Sequence, residues 1–90
     1  MPSFNKVIVM GNLTRDPELR QVGANATKVC RFALALNERR RDRSGNMVDI
    51  PTFVEVDAWE KLAELCGQYL RKGRSVLVEG RLQMDSWEKD

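Results

Sequence analysis

The stretch TFVEVDAW, residues 52–59, predicts a strand with two different faces, because successive side chains of a strand point to opposite sides. One row is small or β-branched and suits a core: Thr52, Val54, Val56 and Ala58. The other row places two aromatics, Phe53 and Trp59, around two carboxylates, Glu55 and Asp57. The carboxylates indicate that this second face meets water. Its two rings lie roughly 20 Å apart along a strand.

Exposed rings near arginines are typical of a stacking platform for single-stranded nucleic acid, and a 20 Å span holds several unstacked bases. Isolated surface aromatics are also common in ordinary proteins. Either ring would equally suit a position under a loop or in a subunit interface. The stretch by itself leaves these interpretations open.

The chain has 90 residues, which we take as one domain, residues 1–90, with a small core. Fifteen Lys and Arg against thirteen Asp and Glu give a net charge of +2. Affinity for nucleic acid must therefore come from the placement of charge. Cys30 and Cys66 lie in apolar patterns without metal-ligand spacing, which predicts reduced thiols in a cytoplasmic protein. We expect neither a membrane span nor a signal peptide.

Two strands are predicted in the first half of the chain. Residues 5–13 are β-branched and apolar, which is typical of a strand buried on much of both faces. The following loop is expected to extend to about Thr27, because Asp16-Pro17 breaks regular structure. Residues 29–36 predict a second strand, whose inward row includes Phe32 and whose outward row carries Arg31.

The second half predicts a loop, the aromatic strand, a helix and a last strand. Residues 37–51 are polar and contain the turn signal Ser44-Gly45-Asn46, so a long hairpin loop is expected there. After Trp59 apolar residues recur at helical spacing, and Gly73 predicts the helix stop. Residues 75–84 return to strand character.

The order strand, strand, strand, helix, strand predicts an all-β fold with one helix. It is the order of the OB-fold, a five-stranded, partly open Greek-key barrel, with the fifth strand missing from this chain. Four strands cannot close the barrel. We therefore expect the edge of the first strand, residues 6–10, to be covered by residues outside this sequence or by a second copy of the chain.

Catalysis finds little support in the composition. The chain has no histidine, and neither cysteine has an evident activating base. Asp16 and Glu18 flank Pro17 and suit a turn better than acid–base chemistry. The glycines do not approach phosphate-loop spacing, and no metal-ligand cluster is visible. We predict no enzymatic activity, no cofactor and no bound metal.

The run Glu38-Arg39-Arg40-Arg41-Asp42-Arg43 is the strongest electrostatic feature of the chain. It leads into the aromatic strand and predicts a phosphate clamp near the same face. Charged runs are also common as solvated surface, and the two interleaved acids weaken the field. Near the other end, Trp87 shares strand parity with Arg81, which indicates either a third stacking ring or a ring packed under the chain end.

Several segments together resemble the bacterial single-stranded DNA-binding proteins: Asn5-Lys6-Val7-Ile8, Gly11-Asn12-Leu13, Asp16-Pro17-Glu18 with Arg20, Lys61-Leu62-Ala63-Glu64, Tyr69-Leu70-Arg71-Lys72-Gly73 and Val78-Glu79-Gly80-Arg81-Leu82. The resemblance covers nearly all of the chain in order. It implies an OB-fold protomer, a homotetramer, and DNA wrapped over aromatic side chains during replication, recombination and repair. It also implies a fifth strand and a tail that recruits replication and repair proteins, so we expect this chain to be truncated.

The resemblance assigns roles to particular residues. By motif position, Phe53, Trp59 and Trp87 correspond to base-stacking aromatics of the family. Arg40 stands where many members carry a fourth aromatic, and a guanidinium plane can both stack on a base and attract phosphate.

Two carboxylates depart from what a DNA-binding face should carry. Glu55 and Asp57 place negative charge between the two rings. Pairing with Arg31 or Arg81 on neighbouring strands would reduce the repulsion.

We predict sequence-nonspecific binding and protection of single-stranded DNA by a nucleoid-associated cytoplasmic protein. Bases stack on Phe53, Trp59 and Trp87, and phosphates are contacted by the arginines Arg31, Arg39, Arg40, Arg41, Arg43 and Arg81. An RNA-binding OB domain stays open as an alternative, because stacking does not test for the 2′-hydroxyl. A structural oligomerisation module with buried aromatics is the other alternative.

Overall fold

Five antiparallel strands and one helix make up residues 2–84, the part of the chain that the computed structural model describes. They are β1 (Val7–Leu13), β2 (Glu18–Val22), β3 (Thr27–Arg41), β4 (Met47–Trp59), α1 (Lys61–Tyr69) and β5 (Ser75–Gly80). The predicted all-β fold with one helix is confirmed. The helix α1, the one helix among residues 2–84, is too short and too polar to cross a membrane.

β3 is the centre of the sheet, because both of its edges are paired. β4 pairs with one edge over nearly its whole length, from Val29 with Trp59 to Arg41 with Met47. The other edge takes β2 and then the end of β1. β5 pairs with the far edge of β1. The curled sheet leaves an open groove of about 940 Å³, lined by residues of both β4 and β5.

The core lies under one face of this sheet. Its buried residues come from β1, β3, β4 and α1: Leu13, Cys30, Phe32, Leu34, Ala58 and Ala63. The inward row predicted for β3 is therefore confirmed. That of β4 is confirmed from Val54 to Ala58, whereas Thr52 is exposed. Cys30 and Cys66 are unpaired thiols, and burial raises the pKa of each, with the neighbouring Cys66 adding to the shift at Cys30.

The loop expected up to Thr27 contains a strand, and that part of the prediction is wrong. β2 pairs along its length with the start of β3, from Glu18 with Arg31 to Val22 with Thr27. All five residues of β2 are exposed, so no apolar alternation marks it in the sequence. The structure thus has five strands where four were predicted. No further strand follows β5 within residues 2–84.

The long hairpin loop expected at residues 37–51 is also wrong, because β3 and β4 continue through it as a two-stranded arm. The arm pairs Asn37 with Pro51 and continues to Arg41 with Met47. Only residues 42–46 form the turn, where the Asp42 carboxylate accepts the N–H groups of Ser44 and Asn46, each at 2.9 Å. Polar side chains do not prevent such pairing, because the two backbones satisfy each other's hydrogen bonds.

Three other expectations need correction. α1 ends at Tyr69 rather than beside Gly73, because Leu70 is already extended, with φ −90° and ψ 145°. β5 ends at Gly80 rather than Met84. β1 is covered on one face only: Ile8 and Met10 are 59% and 68% exposed, whereas Val7 and Val9 are half-buried.

The close approach of β1 to β3 requires a residue without a side chain at Gly11. A Cβ there would lie 2.5 Å from the Ala35 carbonyl oxygen and 2.7 Å from Leu36 Cδ2. We expect Gly11→Ala to lower the free energy of unfolding by about 1–3 kcal/mol, the usual cost of overpacking. Urea denaturation measures the change. Gly80→Ala is the matched control, since nothing lies within 4 Å of its added Cβ. An equal loss in both variants would contradict the close approach at Gly11.

Candidate nucleic-acid interface

The outward row of β4 carries two exposed rings, as the alternation in TFVEVDAW predicted. Phe53 is 67% exposed and Trp59 51%, whereas Ala58 between them is buried. Their cross-strand neighbours on β3 are small: Ala35 lies opposite Phe53, and Val29 lies opposite Trp59. The rings therefore keep a free face on the surface of the sheet.

The two carboxylates between the rings are held by arginines from other parts of the chain. Arg31 of β3 donates to Asp57 through Nε to Oδ1 at 2.8 Å and through Nη2 to Oδ2 at 3.1 Å. Its Nη1 lies 3.9 Å from Glu55 Oε2. Arg15 Nη2 donates to Glu55 Oε1 at 3.2 Å. Charges thus alternate across the middle of the face, and the expected pairing with Arg31 is present.

These contacts fix the ionisation of Asp57. The hydrogen bonds from Arg31 hold the pKa of the Asp57 carboxyl below its ordinary value despite partial desolvation, and the charges of Arg31 and Arg20 add to this lowering. Asp57 is therefore an anion at neutral pH. It orients the Arg31 guanidinium in a bidentate geometry beside the aromatic row.

The arginines of the predicted clamp divide between two faces of the arm. Residues paired in register share a face, so Arg39 and Arg41 lie on the face of Phe53, whereas Arg40, opposite Val48, lies on the other face. Arg43 lies in the turn. Both Arg39, paired with Asp49 at 3.1 Å, and Arg40, 3.7 Å from Glu38, are exposed. Such ion pairs contribute little, so phosphate can replace the carboxylate.

Arg81 follows β5 and lines the open groove together with Arg31, Asp57 and Trp59. Arg31 is thus paired with Asp57 within the aromatic row, and Arg81 borders the same groove as Trp59. Trp87 lies outside the described residues.

Arg15 is a basic residue of this face that the sequence did not indicate. It reaches Glu55 because the N–H of the preceding Thr14 donates to the Ala33 carbonyl at 2.9 Å, and Ala33 lies opposite Glu55. This placement depends on the pairing of strands distant in sequence. No local sequence motif predicts the contact of Arg15 with Glu55.

Comparison with known proteins gives consistent matches. The family described as "Single-strand binding protein family" matches residues 4–90. Single-stranded DNA-binding protein 2 of Chlorobaculum tepidum is 46% identical over 88 residues, covering 98% of this chain and 60% of that protein. The single-stranded DNA-binding protein of Thermus aquaticus is 52% identical over 85 residues, covering 94% of this chain and 30% of the relative. The chain thus spans 60% or less of the length of these two relatives.

Two solved structures share the fold. The Plasmodium falciparum SSB complex with ssDNA superposes with a TM-score of 0.89 at 30% identity, covering 100% of this chain and 79% of that one. A deletion mutant of the Thermus aquaticus single-stranded DNA-binding protein gives a TM-score of 0.85 at 33% identity, covering 97% and 42%.

Proposed function

The chain belongs to the single-strand binding protein family, as its sequence motifs predicted, and we propose that it binds and protects single-stranded DNA through the outward face of β4. One observation carries the proposal: Phe53 and Trp59 stand exposed on one strand face with Arg31 held between them. The solved SSB complex with ssDNA, which shares the fold, supports it.

Two kinds of interaction contribute to the proposed binding: stacking of bases on aromatic rings and attraction of phosphates to arginines. Bases that stack on Phe53 and Trp59 each contribute about 1–3 kcal/mol without demanding a particular sequence. Arg39 and Arg41 on the same face of the arm contact phosphates before the strand reaches Phe53, and Arg31 and Arg81 contact phosphates near Trp59.

The remaining predicted residues extend this path. Trp87 is proposed as a third stacking ring. Arg40 and Arg43 engage a strand that continues around the arm, because they lie on its opposite face and in its turn.

This role is one of binding without catalysis, by residues 1–90 as one domain, in replication, recombination and repair. Replication and repair proteins are proposed partners through a tail outside this sequence. The free thiols Cys30 and Cys66 support a place in the reducing cytoplasm. Comparing oligo-rU with oligo-dT distinguishes an RNA-binding role from a DNA-binding role.

We further propose that the protein is a homotetramer, because residues 2–84, the described part of the chain, leave one apolar surface uncovered. Ile8 and Met10 of β1 and Leu77 of β5 are all more than half exposed, and Met10 lies opposite Leu77. In the described residues, pairing with β3 is recorded only at Asn12 and Leu13, so the earlier edge of β1 is available for pairing. A contiguous apolar face beside an open edge suits a second copy of the chain.

Trp59→Ala should weaken oligo-dT binding by about 1–3 kcal/mol, because one stacked base loses its ring. Fluorescence anisotropy of a labelled oligonucleotide measures the affinity. Tyr69→Ala is the control: Tyr69 is similarly exposed but lies at the far end of α1. A folded Trp59→Ala protein with unchanged affinity would remove the stacking role.

Arg39→Gln should lower the slope of log affinity against log salt by about 0.7, the increment for one phosphate of a single strand. The same measurement on Arg40→Gln, Arg41→Gln and Arg43→Gln shows which side of the arm the DNA follows. Lys72→Gln, beyond the far end of α1, should leave the slope unchanged. If all four arginine variants also keep the parent slope, the run is solvated surface.

Ile8→Glu should reduce the assembly to smaller species, because a carboxylate would be buried in the proposed contact. Sedimentation velocity measures the mass, and circular dichroism verifies the fold. Leu65→Glu is the control, because Leu65 is another exposed aliphatic residue that lies on α1, outside that surface. This variant should sediment with the mass of the parent assembly. Unchanged assembly of Ile8→Glu would show that this face is not the contact.

A further inference from the structure

The space between the two rings is lined by hydrogen-bond acceptors as well as by guanidinium groups. Asp57 uses both carboxylate oxygens on Arg31, at 2.8 and 3.1 Å. Glu55 is engaged less fully: Oε1 accepts from Arg15 at 3.2 Å, while Oε2 lies 3.9 Å from Arg31, which is beyond hydrogen-bond distance. An ionised carboxylate has about four lone-pair sites, so Glu55 retains acceptor capacity.

Glu55 also has the position to use that capacity on a base. Its side chain is 59% exposed. It shares the outward row with Phe53 at the next position, about 7 Å along the strand. A base stacked on Phe53 covers part of this distance and the exposed Glu55 side chain covers the rest, so the edge of the base can approach the carboxylate.

The bases differ at that edge. Cytosine, adenine and guanine carry exocyclic amino groups that donate hydrogen bonds, whereas thymine presents a carbonyl oxygen where cytosine has its amino group. In a single strand these edges are free of a pairing partner. A carboxylate accepts from the amino group of cytosine and repels the carbonyl oxygen of thymine.

We propose that Glu55 is a specificity-determining residue that favours amino-bearing bases over thymine at the position beside Phe53. This inference rests on the proposed binding of single-stranded DNA. It gives the stacking face a graded base preference without recognition of an extended sequence. Arg15 and Arg31 act as positioning residues, because they hold the carboxylate between the rings.

A purely electrostatic role for Glu55 predicts a different result. Removing the carboxylate would leave Arg15 and Arg31 with more charge for phosphate, which strengthens binding of every oligonucleotide alike. The ratio of affinities for two bases therefore separates the two roles. Oligo-dC and oligo-dT are the suitable probes, since both bases are pyrimidines and carry an amino group and a carbonyl oxygen, respectively, at the same ring position.

The test titrates labelled oligo-dC and oligo-dT of equal length at mildly alkaline pH, where cytosine is unprotonated. We expect the dC-to-dT affinity ratio of the parent protein to exceed that of Glu55→Met by about 2- to 10-fold, the range for one net hydrogen bond. The dT affinity should rise in the variant, whereas the dC affinity should gain less, because the dC complex loses its hydrogen bond to the carboxylate. Glu55→Val, which suits a strand, replaces Glu55→Met if the latter does not fold.

Asp49→Asn is the matched control, because it removes the same charge from the arm, where Asp49 pairs with Arg39 at 3.1 Å. It should strengthen both complexes and leave their ratio at the parent value. Equal ratios in the parent and the Glu55 variant, or a ratio that Asp49→Asn lowers equally, would overturn the specificity role. Failure of the folded parent protein to bind either oligonucleotide would instead overturn the proposed function itself, and the inference with it.

Discussion

The continuous pairing of β3 with β4 is the constraint on which the rest of the structure depends. Its register sets Phe32 and Leu34 on the core side, together with Val56 and Val54, and sets Phe53 on the outer side. A slip of one residue would reverse every side chain, bringing the rings into the core and the valines to the surface. The same pairing extends outward into the arm and carries Arg39 beyond the body of the sheet.

The face that this register creates is nearly balanced in charge. Negative side chains between two stacking rings would repel a polyanion if they stood alone. Arg15 and Arg31 offset them, and the pairs lie on the surface, where each is worth little to stability. In the proposed complex phosphate therefore competes for the arginines, and Glu55 keeps acceptor capacity for a base. This balance agrees with a net charge of only +2.

The two faces of β1 have different roles in the proposed assembly. Val9 packs against the core, while Ile8 and Met10 form an apolar face with Leu77 of β5. This face is carried by β1 and β5, whereas the aromatic row is carried by β4. Self-association through one and DNA binding through the other are therefore compatible within a chain this small.

Alternation along residues 52–59 was sufficient to predict the two faces of β4 and the exposure of Phe53 and Trp59. It left the partner of the carboxylates open between Arg31 and Arg81, and the structure shows Arg31. Helical spacing after Trp59 likewise predicted α1, because these signals depend on neighbours in the chain. Tertiary structure alone decided four other features. These are the strand β2, the paired arm, the position of Arg40 on the opposite face of the arm, and the contact of Arg15 with Glu55. Backbone hydrogen bonds between strands distant in sequence hold polar segments as firmly as apolar ones, and such pairing leaves no periodic pattern in the residues that it joins.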